Sequence, residues 1–352
     1  MNDLSRVEEV PVPERPTLMT VARAAGVSRQ TVSNVLNAPG RVQPLTRDRV
    51  QAVIDDLGYR PSLAARQLRT RRSRTLGLRM EPERDGINGT VLDRFLHAVV
   101  DGAQESGYRV LLYVADDDEA ETRAHAGLLD TAQVDAFVLT STHHGDPRTA
   151  WLAQRGVAFS VFGRPWGEPA PVHPWVDVDG AAGTRAATEH LLAAGHRRIA
   201  FVGWPSGSGV GDDRRAGWRQ ALVAAGLDPT EGELPEQRCP DGVDAGERAA
   251  RALLSRPDAP TALVCASDSL ALGAMPVARA ARCAVVGFDD TPVAAAVGLS
   301  SVRQPLAAAA RAALRHVLDE LETPGRPPQV DLLVPKLVVR ASSSTPPDRD
   351  VP

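Results

Sequence analysis

The 352 residues are 43% hydrophobic and 24% charged, enough apolar material for two or three packed domains and too much for a disordered or collagen-like chain. The formal charge of −4, taken as an average, argues against a nucleic-acid partner. The average conceals a split: residues 1–16 carry −2, residues 17–74 carry +8 from eleven arginines against three aspartates, and residues 75–352 carry −10. A basic segment fused to an acidic body reads either as a solvated face or as a polyanion-binding headpiece on a domain with other work.

Cys239, Cys265 and Cys283 form no C-x-x-C pair, which suits a reducing compartment without disulfides or a zinc site. The acidic, Pro-bearing start lacks the apolar core of a signal peptide, and no apolar run is long enough to span a bilayer. A cytoplasmic protein is expected.

In chain order, Thr17 caps a first helix over 18–25, with Leu18, Val21, Ala22 and Ala25 at helical spacing. Gly26 stops it, and Ser28 caps a second helix over 29–36. A third helix is predicted from a Thr46 cap to Leu57, turning Val50, Val53, Ile54 and Leu57 inward, with Gly58 and Pro61 ending it. Small Ala22 and Ala25 beside a glycine turn let two helices cross closely, as a helix-turn-helix requires. With Val32 and Val35 facing the bundle, the second helix leaves Arg29, Gln30, Ser33 and Asn34 outward. Arg suits guanine O6 and N7, Gln or Asn suits adenine, and Ser suits phosphate.

The run Thr17-Leu-Met-Thr-Val-Ala-Arg-Ala-Ala-Gly-Val-Ser-Arg-Gln-Thr-Val-Ser-Asn-Val-Leu-Asn37 resembles the DNA-binding headpiece of the lactose-repressor (LacI/GalR) family. Gly40-Arg-Val, Thr46-Arg-Asp-Arg-Val and Leu57-Gly-Tyr-Arg-Pro61 continue the resemblance in order. It implies that Arg29 and Gln30 read bases, and that Thr17, Ser28, Thr31, Ser33, Asn34, Asn37, Arg41 and Tyr59 complete the DNA-contacting set. Asn34 stands where many relatives carry arginine, so the half-site read there differs. Ser62-Leu-Ala-Ala-Arg-Gln-Leu-Arg69 resembles the family's hinge helix, which pairs across a dimer and inserts a leucine into the minor groove. Leu68 is that wedge here, small Ala65 lets paired helices approach, and Arg69 lies over phosphates.

From residue 76, short apolar strands alternate with amphipathic helices. Strands are predicted at 76–80, 108–114, 136–140, 157–162, 199–203, 262–266 and 284–287, and helices at 90–106, 119–129, 181–194, 212–225, 244–254, 267–280 and 306–321. This pattern makes parallel sheets, and the number of elements suggests two of them. Ligands of such sheets bind beyond the strands' carboxyl ends. Pro276 is expected to end or kink the helix it follows.

Trp175-Val-Asp-Val-Asp-Gly180, Arg214-Arg-Ala-Gly-Trp218, Ala266-Ser-Asp-Ser-Leu-Ala-Leu-Gly273 and Val286-Gly-Phe-Asp-Asp290 resemble the family's periplasmic-binding-protein-like core of two doubly wound lobes. The resemblance spans 17–343. It implies a tail at 1–16, a headpiece at 17–61, a hinge helix and linker at 62–74, a core at 75–343 and a tail at 344–352. The chain crosses between lobes near 176, 303 and 332, giving an N-lobe of 75–176 and 304–332 and a C-lobe of 177–303 and 333–343. The effector residues it implies are Arg214, Asp289 and Ser267, and Arg164 and Trp175 are added from the N-lobe side. Trp175 is assigned to a pyranose face, and the Arg–Asp fork to vicinal hydroxyls.

The glycine-rich run Gly203–Gly211 lacks dinucleotide-loop spacing, no P-loop or G-x-S-x-G elbow occurs, and the histidines lack metal spacing. No catalysis, cofactor or metal is expected. The sequence reads as a homodimeric, sugar-responsive regulator, most simply a repressor, on a pseudo-palindromic operator. The competing readings are a sugar-binding module without DNA activity and a regulator of a non-sugar ligand such as a nucleoside. An enzyme acting on NAD or sugars is the third class weighed.

Overall fold

The computed structural model describes residues 16–60, 72–80, 89–168, 171–227 and 235–344. The hinge reading of 62–69, with Ala65, Leu68 and Arg69, lies outside them, as does the tail beyond Ser344. The chain divides into two units, Met1–Arg72 and Ser73–Pro352. No helix among the described residues is long and apolar enough to cross a membrane.

In the first unit, α1 (Leu18–Ala25), α2 (Arg29–Asn37) and α3 (Pro44–Asp56) surround a core of Val21, Ala22, Ala25, Val32, Val35, Val50, Ile54 and Tyr59. A capping box starts α1: the Thr17 hydroxyl accepts from the Thr20 amide at 3.2 Å, and the Thr17 amide donates to the Thr20 hydroxyl at 3.3 Å. Gly26, at φ 65°, ends that helix in the left-handed conformation. The Ser28 hydroxyl accepts from the Thr31 amide at 3.0 Å and opens α2. Thr46 is not the cap of the third helix. Pro44, with its φ fixed and no N–H to satisfy, starts α3 two residues earlier, and Gln43 is the residue before it.

The second unit holds two six-stranded sheets. The N-lobe sheet has the order β11-β5-β4-β3-β1-β2 and is wholly parallel, with β1 (Thr75–Arg79), β2 (Arg109–Tyr113), β3 (Ala136–Leu139), β4 (Ala158–Phe162), β5 (Trp175–Val178) and β11 (Val330–Leu333). The C-lobe sheet has the order β12-β10-β9-β8-β6-β7, with β6 (Ile199–Gly203), β7 (Glu236–Arg238), β8 (Ala262–Cys265), β9 (Ala284–Asp289), β10 (Ser300–Arg303) and β12 (Lys336–Val338). Only β12 runs antiparallel there. The chain passes between sheets after β5, after β10 and between β11 and β12.

Helices cover both sheets. The N-lobe carries α4 (Gly89–Glu105), α5 (Asp118–Asp130), α6 (Pro147–Gln154) and α12 (Leu306–Glu322), and α12 packs on α4 and over β3, β4 and β5. The C-lobe carries α7 (Gly180–Ala193), α8 (Gly209–Ala224), α9 (Val243–Leu254), α10 (Asp268–Ala280) and α11 (Pro292–Val297). Pro276 does not end α10, which runs four residues past it. Ala274 and Ala278 on either side are fully buried, so tertiary packing holds the helix through a proline that would cost an isolated helix about 3 kcal/mol.

α9 and α10 meet at two glycines. A Cβ on Gly273 would sit on the Val243 carbonyl oxygen, and one on Gly246 would sit on the Leu270 carbonyl oxygen. Both obstacles are rigid backbone. Gly273→Ala should therefore cost at least the ~1–3 kcal/mol of an overpacked core, read as a lowered thermal midpoint of the full chain. An unchanged midpoint would show that the helices separate freely.

Candidate functional site

The two sheets present their strand carboxyl ends to one cleft of about 220 Å³. Its wall takes Ser141 and Thr142 from beyond β3, Phe162 from the end of β4 and Gly163 from just beyond it, Asp177 and Val178 from β5, Trp204 from beyond β6 and Gln304 from beyond β10. Trp166, Asp213 and Arg214 complete the polar and aromatic lining. The wider hollow of about 690 Å³ along α8 lies elsewhere, and its Arg215 and Arg238 are matched by Glu236 and Asp212.

Arg214 is 6% exposed, its guanidinium 3.7 Å from the Phe288 ring centroid and 5.1 Å from that of Trp204. Its Nη1 donates to the Ala266 carbonyl and stands 3.8 Å from Asp289 Oδ1, while its buried Nε has no hydrogen-bond partner. Gln304 Nε2 donates to Asp289 Oδ1 at 2.6 Å. Asp289 and Asp290 end β9 at φ 118° and 51°, positions that cost an L-residue about 1–3 kcal/mol each. The Ser301 hydroxyl, bonded to the Asp290 amide at 2.9 Å, and Arg303, at 2.5 Å from the Asp290 carboxylate, hold this turn. Burial and neighbouring Asp268 push the Asp289 carboxyl up to about 8, against the pull of Arg214.

Arg164, in the turn after β4, adjoins the cleft through the lining residues Asp177 and Asp213. Gly163, at φ 128°, has no room for a side chain beside Thr142, whose hydroxyl donates to the Arg164 carbonyl at 3.0 Å. The Arg164 side chain donates from Nε to Asp177 at 2.8 Å and from both terminal nitrogens to Asp213 at 3.2 Å. Because Asp213 lies on α8, this pair ties one lobe to the other. Trp166 makes a second tie, its indole lying where a Cβ on Gly209 would otherwise be.

Of the five sequence-derived effector residues, Arg214 lines the cleft, Arg164 and Asp289 adjoin it through Asp213 and Gln304, and Trp175 and Ser267 are placed otherwise. Trp175 begins β5, so it lies at the amino end of a parallel strand, and its ring packs with the Val134–Phe137–Leu139 core. The tryptophans of the cleft are Trp166 and Trp204, whose buried indole Nε1 atoms have no partner. Ser267 is fully buried and committed: its hydroxyl donates to Asp241 at 2.5 Å and accepts from the Leu270 amide at 3.2 Å as the cap of α10. Arg164, Arg214 and Asp289 are brought together. Sequence reasoning missed Asp177, Asp213 and Gln304: Asp177 and Gln304 adjoin strand ends, and Asp213 lies beside Arg214 in α8.

In the headpiece, Arg29, Gln30, Asn37 and Arg41 are exposed, and Thr31, Ser33 and Asn34 half-buried. Gln30 Nε2 donates to Asn34 Oδ1 at 3.0 Å, and Asn37 Nδ2 donates to the Ser33 carbonyl at 2.7 Å, so the outward amides are pre-ordered along one face. Tyr59 is corrected: at 6% exposure its ring belongs to the three-helix core and not to a DNA-facing surface. Among the described residues, Asp118, His143 and Asp146 bring ligand atoms within 4.8 Å of one another, but the Arg148 guanidinium already pairs with both aspartates.

The family model for bacterial regulatory proteins of the lacI family matches residues 17–62, and that for a periplasmic-binding-protein-like domain matches 188–343. The HTH-type transcriptional regulator CelR of Thermobifida fusca is 36% identical over 343 residues, covering 93% of this chain and 98% of its own. AglR of Rhizobium meliloti is 32% identical, covering 94% and 95%. Among solved structures, the Lac repressor dimer bound to operator and the anti-inducer ONPF superposes with a TM-score of 0.79 at 26% identity, covering 94% of this chain and 99% of that one. The CelR–cellobiose complex gives 0.68 at 33% identity, covering 93% and 100%.

Proposed function

The chain belongs to the LacI family of bacterial regulatory proteins, a family of DNA-binding transcriptional regulators and not of enzymes, and from that premise we propose that it is a cytoplasmic homodimeric repressor of carbohydrate genes released by a small sugar. One observation carries the sugar half of this reading: the buried Arg214 Nε and the two buried indole N–H groups in the strand-end cleft have no protein acceptor. A hydroxyl-rich ligand supplies acceptors for all three, and the Trp166 and Trp204 rings suit its C–H faces. Arg214 and Asp289 supply the charge-assisted hydrogen bonds.

For the DNA half, Arg29, Gln30 and Asn34 contact base edges from α2, while Thr17, Ser28, Thr31, Ser33, Asn37 and Arg41 position the backbone. Ala65, Leu68 and Arg69 form the minor-groove contact of the hinge. A sugar touching both lobes favours their closed arrangement, and by linkage it can lower operator affinity only by its differential affinity for the two states.

Mobility shifts on the gene's own upstream region test the proposal. The full chain should give a salt-sensitive, sequence-specific complex dissolved by one member of a sugar panel that begins with cellobiose. Gln30→Ala should lose about 5- to 150-fold in specific affinity, the ~1–3 kcal/mol of a bidentate base contact, with non-specific binding unchanged. Leu68→Ala should likewise spare non-specific binding. Sugar binding without any specific shift would instead identify a sugar-binding module.

A further inference from the structure

Arginines in a ligand cleft ordinarily attract anions; here Arg214 lines the cleft and Arg164 adjoins it, bonded to the lining residues Asp177 and Asp213. Arg164 is spent. A guanidinium has five N–H donors, and Arg164 makes four hydrogen bonds: one to Asp177, two to Asp213 and one to the Val178 carbonyl at 3.4 Å. One face of it lies 4.8 Å from the Trp166 ring. The forked edge that would grip a phosphate or carboxylate is the edge Asp213 occupies. Asp213 is itself fixed, accepting from the Ala181 amide at 3.0 Å at the start of α7.

Arg214 has one terminal nitrogen on a backbone carbonyl, its guanidinium against Phe288 and Trp204, and its buried Nε without a protein partner. Asp289, Asp241, Asp177 and Asp213 all act electrostatically on it. The two guanidiniums thus stand among the carboxyl groups of Asp177, Asp213, Asp241 and Asp289, so the arginines bring no surplus positive charge for an anion. In a partly desolvated site charge interactions are poorly screened, which sharpens the discrimination.

We propose that Asp177 and Asp213 are specificity-determining residues: by occupying Arg164 they make the cleft select uncharged, hydroxyl-rich ligands and reject phosphorylated and uronic sugars. This rests on the cleft being the effector site. It also assigns Arg164 a positioning part, since its own donors face protein carboxylates and not the ligand. Removing the Asp213 charge frees the fork and converts the site to an anion binder.

Thermal shift and calorimetric titration of the full chain test this with cellobiose, glucose 6-phosphate, glucuronate and inorganic phosphate. The wild type should show no saturable response to the three anions. Asp213→Asn should gain at least about tenfold in affinity for glucose 6-phosphate and phosphate, and adding Arg164→Gln should erase the gain. If Asp213→Asn fails to fold, Asp177→Asn serves, since it frees the Nε edge.

Saturable binding of any of the three anions to the wild type, lost in Arg164→Gln, would overturn the proposal. So would a folded, operator-binding Asp213→Asn with no gain. If no sugar binds the wild type while the variant still acquires phosphate, the charge gate stands and the sugar-effector reading falls.

Discussion

Asp289→Asn should leave operator binding intact and abolish release by the effector. The carboxylate ends β9 buried at 4% exposure, with Gln304 on one oxygen and Arg214 3.8 Å away. Hydrogen bonds to a charged group are worth about 1.5–3 kcal/mol, so effector affinity should fall by about 10- to 150-fold. The pH dependence gives the assignment a second check. Because burial raises this carboxyl to about 8, the empty cleft holds it largely protonated at neutral pH. Hydroxyl donors favour the ionised form, so effector affinity in the wild type should rise with pH until about 8 and then level, and the Asn variant should show no such rise.

Stability moves in the opposite direction. A carboxyl raised above its unfolded value binds more protons folded than unfolded, so its contribution is complete below about 4 and is lost as pH rises through about 8. Asp289→Asn removes that loss, and the unliganded variant should melt above the wild type at pH 9. A normal induction curve for the variant would remove Asp289 from the effector site. Equal melting at pH 9 would show the carboxyl to be ordinary.

The headpiece was legible because its signals are local. Thr17, Gly26 and Ser28 mark helix ends by their own chemistry, and Val21, Val32 and Val50 face inward at simple helical spacing. Strands with apolar runs, such as β3 and β6, were equally plain. The strands missed by element prediction either lack such runs or take their pairing from distant chain: Glu-Gln-Arg in β7, Ser-Ser-Val-Arg in β10, and β11 and β12 at sheet edges. β5 was quoted as a family run without being read as a strand, and this produced the Trp175 error. Ligands of a parallel sheet meet the carboxyl ends of its strands, and Trp175 stands at the amino end of β5. Tyr59 failed for a related reason, since a ring that matches a family position says nothing of whether it faces solvent or core. The Arg164–Asp177–Asp213 cluster joins residues 49 positions apart across two lobes, and no sequence period carries it.

Arg148→Met should unfold or grossly loosen the N-lobe. Arg148 is wholly buried, and its guanidinium bonds Asp146 at 2.6 and 2.9 Å, Glu121 at 2.7 Å and the carbonyls of Thr140 and Ser141 at 3.1 and 3.4 Å. Methionine fills some of the volume and restores none of those partners. Removing one member of a buried ion pair costs about 3–5 kcal/mol, a large share of the ~5–15 kcal/mol by which a domain is stable. Glu121, also wholly buried, keeps Arg79 at 2.7 Å and the Tyr113 hydroxyl at 3.1 Å, whereas buried Asp146 loses the guanidinium bonded to both its oxygens, so pairing the change with Asp146→Asn should recover part of the loss. Recovery distinguishes an orphaned charge from simple cavity formation, which the second change would leave untouched.

Acid titration follows the same logic. Arg148, Arg79 and His125 hold the Glu121 carboxyl down at about 2 despite its burial, so its contribution is present above about 4.5 and is lost as pH falls toward 2. The wild type should lose stability over that window, and Arg148→Met should lose less. Function is tied in through Ser141, which sits at φ 57° with its carbonyl on Arg148 and lines the cleft beside Thr142. Since the headpiece is a separate unit with its own core, the variant should lose effector binding at temperatures where the α1–α3 helices remain folded. Simultaneous loss of both would mean that the buried network supports the whole chain and not the cleft wall.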